Sequence, residues 1–231
     1  GVPSKTLKSM FHGDAPFYIK PRLDASMLIW GLRFFAACNV DRARRTARAK
    51  QALLALSRVT LARLIGRECL ECEWTEAGLY FVYKSQQSFE AGDSEDRLLS
   101  EVGIECEKID GSEMSRREPA VRSGMAGARF YSMDAHLRPD KLISELVRIL
   151  RARGVTFVEN CSFAGVIGDT ERVSSIMTSS GEIEVNDVVI ASGAWTPALA
   201  KQLGLSLPIQ PGKGYTITLE RRDDAPRVPL I

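Results

Sequence analysis

The chain has 231 residues, 45% of them hydrophobic and 26% charged, with a net charge of +2. That length allows one large domain or two small ones around a substantial core. The near-neutral balance excludes polyanion binding through bulk charge, and no apolar run reaches the roughly 18 residues a membrane span needs.

The opening "GVPSKTLKSM" has no initiator Met and no signal-peptide core, and the closing "RRDDAPRVPLI" stops in an extended-looking run. Both read as cut ends of a longer chain. Up to about residue 68 the pattern is mostly helical. Asp24 is placed to cap "DASMLIWGLRFFAACN", where Met27, Leu28, Leu32 and Phe35 recur at helical spacing. Asp41 is placed to cap a second helix ending near Gly66, with Leu53, Leu56 and Leu64 in its apolar stripe. Residues 41–68 hold eight Lys/Arg and two acids, a local charge of +6. The ordinary explanation is a core-packed helix with a solvated basic face. Contact with an anionic membrane surface is the main alternative, and nucleic acid finds little support without interleaved aromatics.

Residues 69–135 read as strands with short helices. "LECEW" and "LYFVYKS" flank "TEAG", a hairpin signal with Gly78 in the turn. "DSEDRLLSEVG" predicts a short helix stopped by Gly103, and "GARFYSMD" a further strand. The five cysteines are Cys38, Cys69, Cys72, Cys106 and Cys161. Their odd number and scatter argue for a reducing compartment over a disulfide framework. Cys69 and Cys72 fit C-x-x-C but lack the second ligand pair a zinc site requires, and they read as ordinary thiols on or near a strand. No metal site is expected.

Residues 136–219 read most clearly. "RPDKLISELVRILRARG" predicts an amphipathic helix with Pro139 near its start, a buried face of Leu142, Leu146, Ile149 and Leu150, and Gly154 just beyond its end. A strand "VTFVEN" follows, then a meander broken at Gly168-Asp169 and Ser180-Gly181, then the apolar run "VVIAS". "TPALAKQLG" is a helix closed by Gly204, and "LPIQPGKGYTITLE" returns to strand. Because "VTFV" and "VVIA" do not alternate, both predict central parallel strands of an open α/β sheet.

Ligands of such sheets bind outside the carboxyl ends of the strands. There Ser192, Gly193 and Ala194 remove side-chain bulk beside Trp195. Two readings stand: a ligand approaching the backbone, or a tight strand-to-helix turn with Gly193 at positive φ and Trp195 as a core anchor. No G-x-G-x-x-G is present, so the chain carries no phosphate cradle of that type. Two histidines, His12 and His136, offer no hydrolase triad, and His136 reads as a surface-loop residue.

The order "HLRPDKLISELVRILRARGVTFVEN", meander, "DVVIASGAWTPALAKQLGLSLPIQPGKGYTIT" resembles the FAD-dependent oxidoreductases of the D-amino-acid oxidase superfamily. The opening segment looks most like the bacterial D-amino-acid dehydrogenase branch. The resemblance implies an α/β (α+β mixed) fold: part of a glutathione-reductase-type FAD domain with an inserted mixed-sheet substrate domain. The expected division is 1–135 for helices and substrate-domain strands, 136–206 for part of the FAD domain with its meander, and 207–231 for the return into the substrate domain. The family's Gly-rich FAD loop and its substrate-carboxylate arginine match nothing here, so the chain is expected to be inactive alone and to hold FAD poorly.

Carried over by motif, Ala191, Ser192, Gly193, Ala194 and Trp195 match the strand end beside the flavin. Phe163 matches a position whose backbone contacts the adenine. Lys213, Gly214 and Tyr215 match "P-x-K/R-G-Y", which makes Tyr215 the one catalytic candidate. The implied reaction is hydride transfer from a D-amino-acid α-carbon to flavin, giving an imine that water hydrolyses to a 2-oxo acid and ammonia. A glycine/sarcosine-type amine oxidase is the near alternative, and a membrane- or nucleic-acid-binding module built on residues 41–68 the distant one. The implied partners are a small amino acid or amine and an acceptor, quinone or oxygen. The implied location is the cytoplasm, with peripheral contact on the inner face of the cell membrane.

Overall fold

The structure is a computed structural model that describes residues 25–169 and 172–231. The described residues form two compact units, one of 25–38 and 156–217, the other of 39–155 and 218–231. Along the chain the two units meet at 38/39, 155/156 and 217/218.

In the first unit, helix α1 spans Ala25–Ala37. The predicted cap Asp24 lies outside the described residues. The meander forms as read: β1 (Phe163–Gly168), β2 (Val173–Thr178) and β3 (Gly181–Glu184) make an antiparallel sheet in that order. Its second turn closes with Gly181 at φ 117° and a bond from Thr178 Oγ1 to the Gly181 carbonyl at 2.7 Å. A short helix, α2 (Thr196–Gln202), ends before Gly204 at φ 70°, as predicted.

The predicted central strands are not formed. "VTFV" and "VVIA" belong to no strand, and Val189 is 88% exposed. A parallel strand is stable only between neighbours on the same sheet. Among the described residues neither run joins a sheet. The stretch 205–219 is likewise not a strand, and Tyr215 is 85% exposed. Pro208 and Pro211 remove two backbone donors from it.

The second unit begins with α3 (Val40–Glu68). Its cap is Asn39, whose side chain accepts from the Arg42 amide at 2.8 Å, and Asp41 sits in the first turn, where its charge suits the helix dipole. No residue of α3 is fully buried, and Leu53 and Leu56 are 66% and 65% exposed. The expected core-packed stripe is thus only half-buried, through Leu61, Leu64 and Ile65 near the C-terminal end. The helix is held at its ends by Arg44–Glu101 at 2.8 Å, Arg58–Glu76 at 2.7 Å and an Arg153–Glu68 pair.

"LECEW" is not a strand, and "TEAG" is not a hairpin turn. Cys69 caps α3 in the left-handed region at φ 50°, and Glu73 repeats that geometry at φ 54°, so the path cannot stay extended. The next strand, β4 (Leu79–Tyr83), pairs with β6 (Gly127–Tyr131), a partner far along the chain. Thr75 continues that pairing with His136 through two 2.9 Å bonds. Between them β5 (Glu107–Asp110) joins the other edge of β6. The closing residues add to the free edge of β4: Tyr80 and Leu230 pair in parallel, and the Val82 amide donates to the Ile231 carbonyl at 2.7 Å. The result is a mixed sheet.

Four short helices complete this unit: α4 (Gln86–Ala91), α5 (Asp93–Ser100), α6 (Gly111–Arg117) and the longer α7 (Pro139–Ala152). The predicted helix before Gly103 is α5, with that glycine at φ 77°. In α7, Pro139 opens the helix and Gly154 lies beyond it at φ 84°. Its Leu142, Leu146 and Ile149 are half-buried, whereas Leu150 stays exposed.

One face of the mixed sheet carries the core of Tyr80, Ile109, Met114 and Ala128, packed against Phe130, Val228 and Leu230. Met114 of α6 is fully buried. Met114→Ala removes its buried methylenes and leaves a cavity, so chemical denaturation should show a loss of about 2–5 kcal/mol.

Candidate functional site

The strand-end residues form a single turn in the first unit. Gly193–Trp195 is one turn of 3-10 helix that runs into α2. The Trp195 amide donates to the Ser192 carbonyl at 3.0 Å, and the Ser192 and Thr196 hydroxyls lie 3.1 Å apart. These bonds fix the turn from within. Gly193 sits at φ 54°, and a Cβ there would meet nothing within 4 Å. Glycine is favoured at this position by backbone conformation, and its outer side is open.

Trp195 is 75% exposed. Among the described residues it anchors no core. Ala191, Gly193 and Ala194 are also exposed, with Ser192 half-buried. The segment thus offers a backbone without bulk beside one large aromatic face. That surface fits a planar ring system, whereas a pyrophosphate finds no Gly-rich loop in this chain.

Phe163 opens β1 and pairs with Thr178 of β2. The same strand supplies Val166 to a recess of about 580 Å³ in the first unit. Asp187, Val188 and Ile190 of the "DVVIAS" run line it, with Val173 and Leu203. This recess was not legible in the sequence. Its lining alternates between β1, β2 and the end of α2, and only the meander's folding brings them together.

Tyr215 stands apart from any such enclosure. Its ring is exposed and lies 5.0 Å from the Lys213 ammonium, a cation–π contact within its own motif.

Titratable groups divide sharply. In the second unit, burial first and then Asp96 push the Cys106 thiol up, and burial pushes the Tyr131 hydroxyl up as well. Both are neutral near pH 7. In the first unit, hydrogen bonds from Thr178 and Ser180 lower the Cys161 thiol. All five cysteines are free, and Cys69 and Cys72 differ strongly, one exposed and one buried. Among the described residues, no cluster of His, Cys, Asp and Glu is arranged to hold a metal ion. His136, read from sequence as a surface-loop residue, is half-buried, and its Nδ1 is buried without a partner.

Comparison with known proteins places this arrangement. D-amino acid dehydrogenase of Vibrio vulnificus (strain YJ016) is 27% identical over 228 residues, covering 97% of this chain and 55% of the relative. D-amino acid dehydrogenase of Rhizobium johnstonii is 30% identical over 232 residues, covering 99% of this chain and 56% of the relative. The chain therefore spans about half the length of the curated relatives it matches. Among solved structures, glycine oxidase from Geobacillus kaustophilus aligns with a TM-score of 0.58 at 20% identity, over 81% of this chain and 45% of that one. Glycine oxidase from Bacillus cereus aligns with a TM-score of 0.56 at 22% identity, over 68% of this chain and 42% of that one. These likenesses carry the fold, and the mixed helix-and-strand class expected from sequence agrees with them. The model of the DAO family, described as FAD dependent oxidoreductase, matches residues 17–231, and the chain belongs to that family.

Proposed function

We propose that the protein takes part in FAD-dependent oxidative deamination of a D-amino acid to a 2-oxo acid and ammonia. The observation that carries the reading is the open turn Ala191–Trp195, small at the backbone and aromatic at its edge, in a chain of an FAD-dependent family. The choice of a D-amino acid over glycine or sarcosine rests on the names of the curated relatives. When bound, the flavin supplies hydride acceptance, the redox step no side chain here can perform.

The chain's own residues have positioning roles in this reading. Gly193 and Ala194 keep the backbone free of bulk, so that a flat ring can lie within van der Waals distance. Trp195 walls that ring on one side and excludes water. The Ser192–Thr196 hydroxyl pair holds the turn in place beforehand. Phe163 meets the adenine through backbone groups at the start of β1, and Tyr215 stands toward the substrate. In domain terms, the first unit belongs to the FAD domain and the mixed sheet of the second to the substrate domain.

The full-length protein should purify yellow, and anaerobic addition of a D-amino acid should bleach the flavin band. A protein that retains no flavin after reconstitution would sink the reading. Gly193→Val places a β-branched side chain at positive φ and on the open face. It should weaken FAD retention at least about tenfold in equilibrium dialysis. Unchanged FAD affinity in a folded variant would remove the turn from the site.

A peripheral membrane contact through α3 is a second reading, favoured by exposed Leu53, Leu54 and Leu56 on the same helix as Arg42, Arg44, Arg45 and Arg48. No helix among the described residues is long and apolar enough to cross a membrane. Sedimentation with anionic vesicles should fall several-fold when those four arginines become alanine. Co-sedimentation that does not change would exclude the contact.

A further inference from the structure

The second unit contains a recess of about 450 Å³ whose chemistry the flavin reading does not use. Three arginines line it, Arg138, Arg221 and Arg227, with His136, Thr75 and one acid, Glu73. The charges are unevenly spent. Arg138 forms a two-pronged pair with Asp140 at 2.9 and 2.7 Å, and Glu73 is matched by Lys141. Among the described residues, the Arg221 and Arg227 guanidiniums have no carboxylate partner, although neighbouring Arg222 pairs with Asp224 at 3.0 Å.

The walls are fixed. The 75–136 side is a strand pairing closed by two 2.9 Å bonds, and the Arg138 amide donates to the Cys72 carbonyl at 2.9 Å. On the other side the Arg227 amide donates to Glu118 Oε2 at 2.8 Å, and Glu118 is 2% exposed. The Tyr80 amide donates to the Pro229 carbonyl at 3.1 Å. A buried carboxylate and a strand pairing thus hold the segment that presents Arg227. His136 lines the recess, and its Nδ1 is buried without a hydrogen-bond partner. A buried polar atom left unmatched in an otherwise bonded strand pairing calls for a partner.

We propose that this recess binds a small oxyanion, a carboxylate- or phosphate-bearing molecule, through the Arg221 and Arg227 guanidiniums, against the wall that His136 lines. Guanidinium forks match the paired oxygens of either group, and the concave wall concentrates the field of the two unspent charges. Both arginines are exposed, so solvent screens each contact and the affinity is modest, with a Kd of about 1 mM. The proposal does not rest on the flavin reading.

The test is calorimetric titration of the full-length protein with inorganic phosphate and, separately, with succinate, each against potassium chloride of equal ionic strength. One saturable site is expected for at least one of the two, and the one that binds assigns the source. R221Q/R227Q should weaken that site at least fivefold, R227K should fall between, and R63Q on α3 should leave it unchanged. The His136 Nδ1 resonance should shift on binding in the wild type alone. Heats no different from chloride would overturn the proposal. So would equal binding by R221Q/R227Q, or an equal loss in R63Q, which would mark diffuse surface charge.

Discussion

The second unit is organised by one buried charge. Arg129 sits on the central strand β6 and is 1% exposed. Its guanidinium lies 4.8 Å from the Tyr83 ring and 4.9 Å from the Phe89 ring, and it bonds Asp96 and Asp93 at 2.7 Å. Those partners come from β4, α4 and α5. Lys108 of β5 adds a 2.7 Å bond to Asp93, and chiefly that bond holds the Asp93 carboxyl below its usual range. Removing one carboxylate would leave a buried charge uncompensated, so all four elements are bound to one geometry. Strand alternation explains why the arrangement is possible: Ala128 faces the apolar core and Arg129 the opposite side. Gly92 belongs to the same solution, since a Cβ there would come within 2.6 Å of the Arg129 carbon.

What the sequence made legible follows the range of the interactions involved. The meander turns, the stop at Gly103 and the ends of α2 and α7 are written in a few adjacent residues, and all are found. Features that depend on distant partners were missed. β4 takes its partner from β6, not from "LECEW", and nothing within residues 69–83 encodes that choice. The short elements β5 and α6 escaped notice because "EKID" and "GSEMSRR" have too few residues to establish a period. Of the closing run that looks extended, residues 229–231 pair in parallel with β4, about 150 positions away, whereas 223–225 and 227–228 turn and bend.

The apolar runs "VTFV" and "VVIA" teach the complementary lesson. A sequence without alternation encodes a demand for cover on both faces, and that demand is unmet among the described residues. The chain spans about half the length of its curated relatives. The same sequence property that marks a central strand appears here in backbone that belongs to no strand. Composition reveals what a segment requires, while the ladder depends on partners that the segment cannot specify.

Trp195 brings these threads to the site. From the sequence, a tryptophan after three small residues served equally as a packing anchor or as a wall. Packing predicts burial, because an indole contributes to a core only when water is removed from it. Three-quarters exposure excludes that role within the first unit. Gly193 excludes the complementary economy, in which the turn is small so that another element can press against it, because its would-be Cβ meets open space. Small residues and a large ring are then left serving one surface. The bonds that order the turn, Ser192 to Trp195 and Ser192 to Thr196, all run within it. A surface ordered from inside and open outside is what the proposed cofactor wall requires.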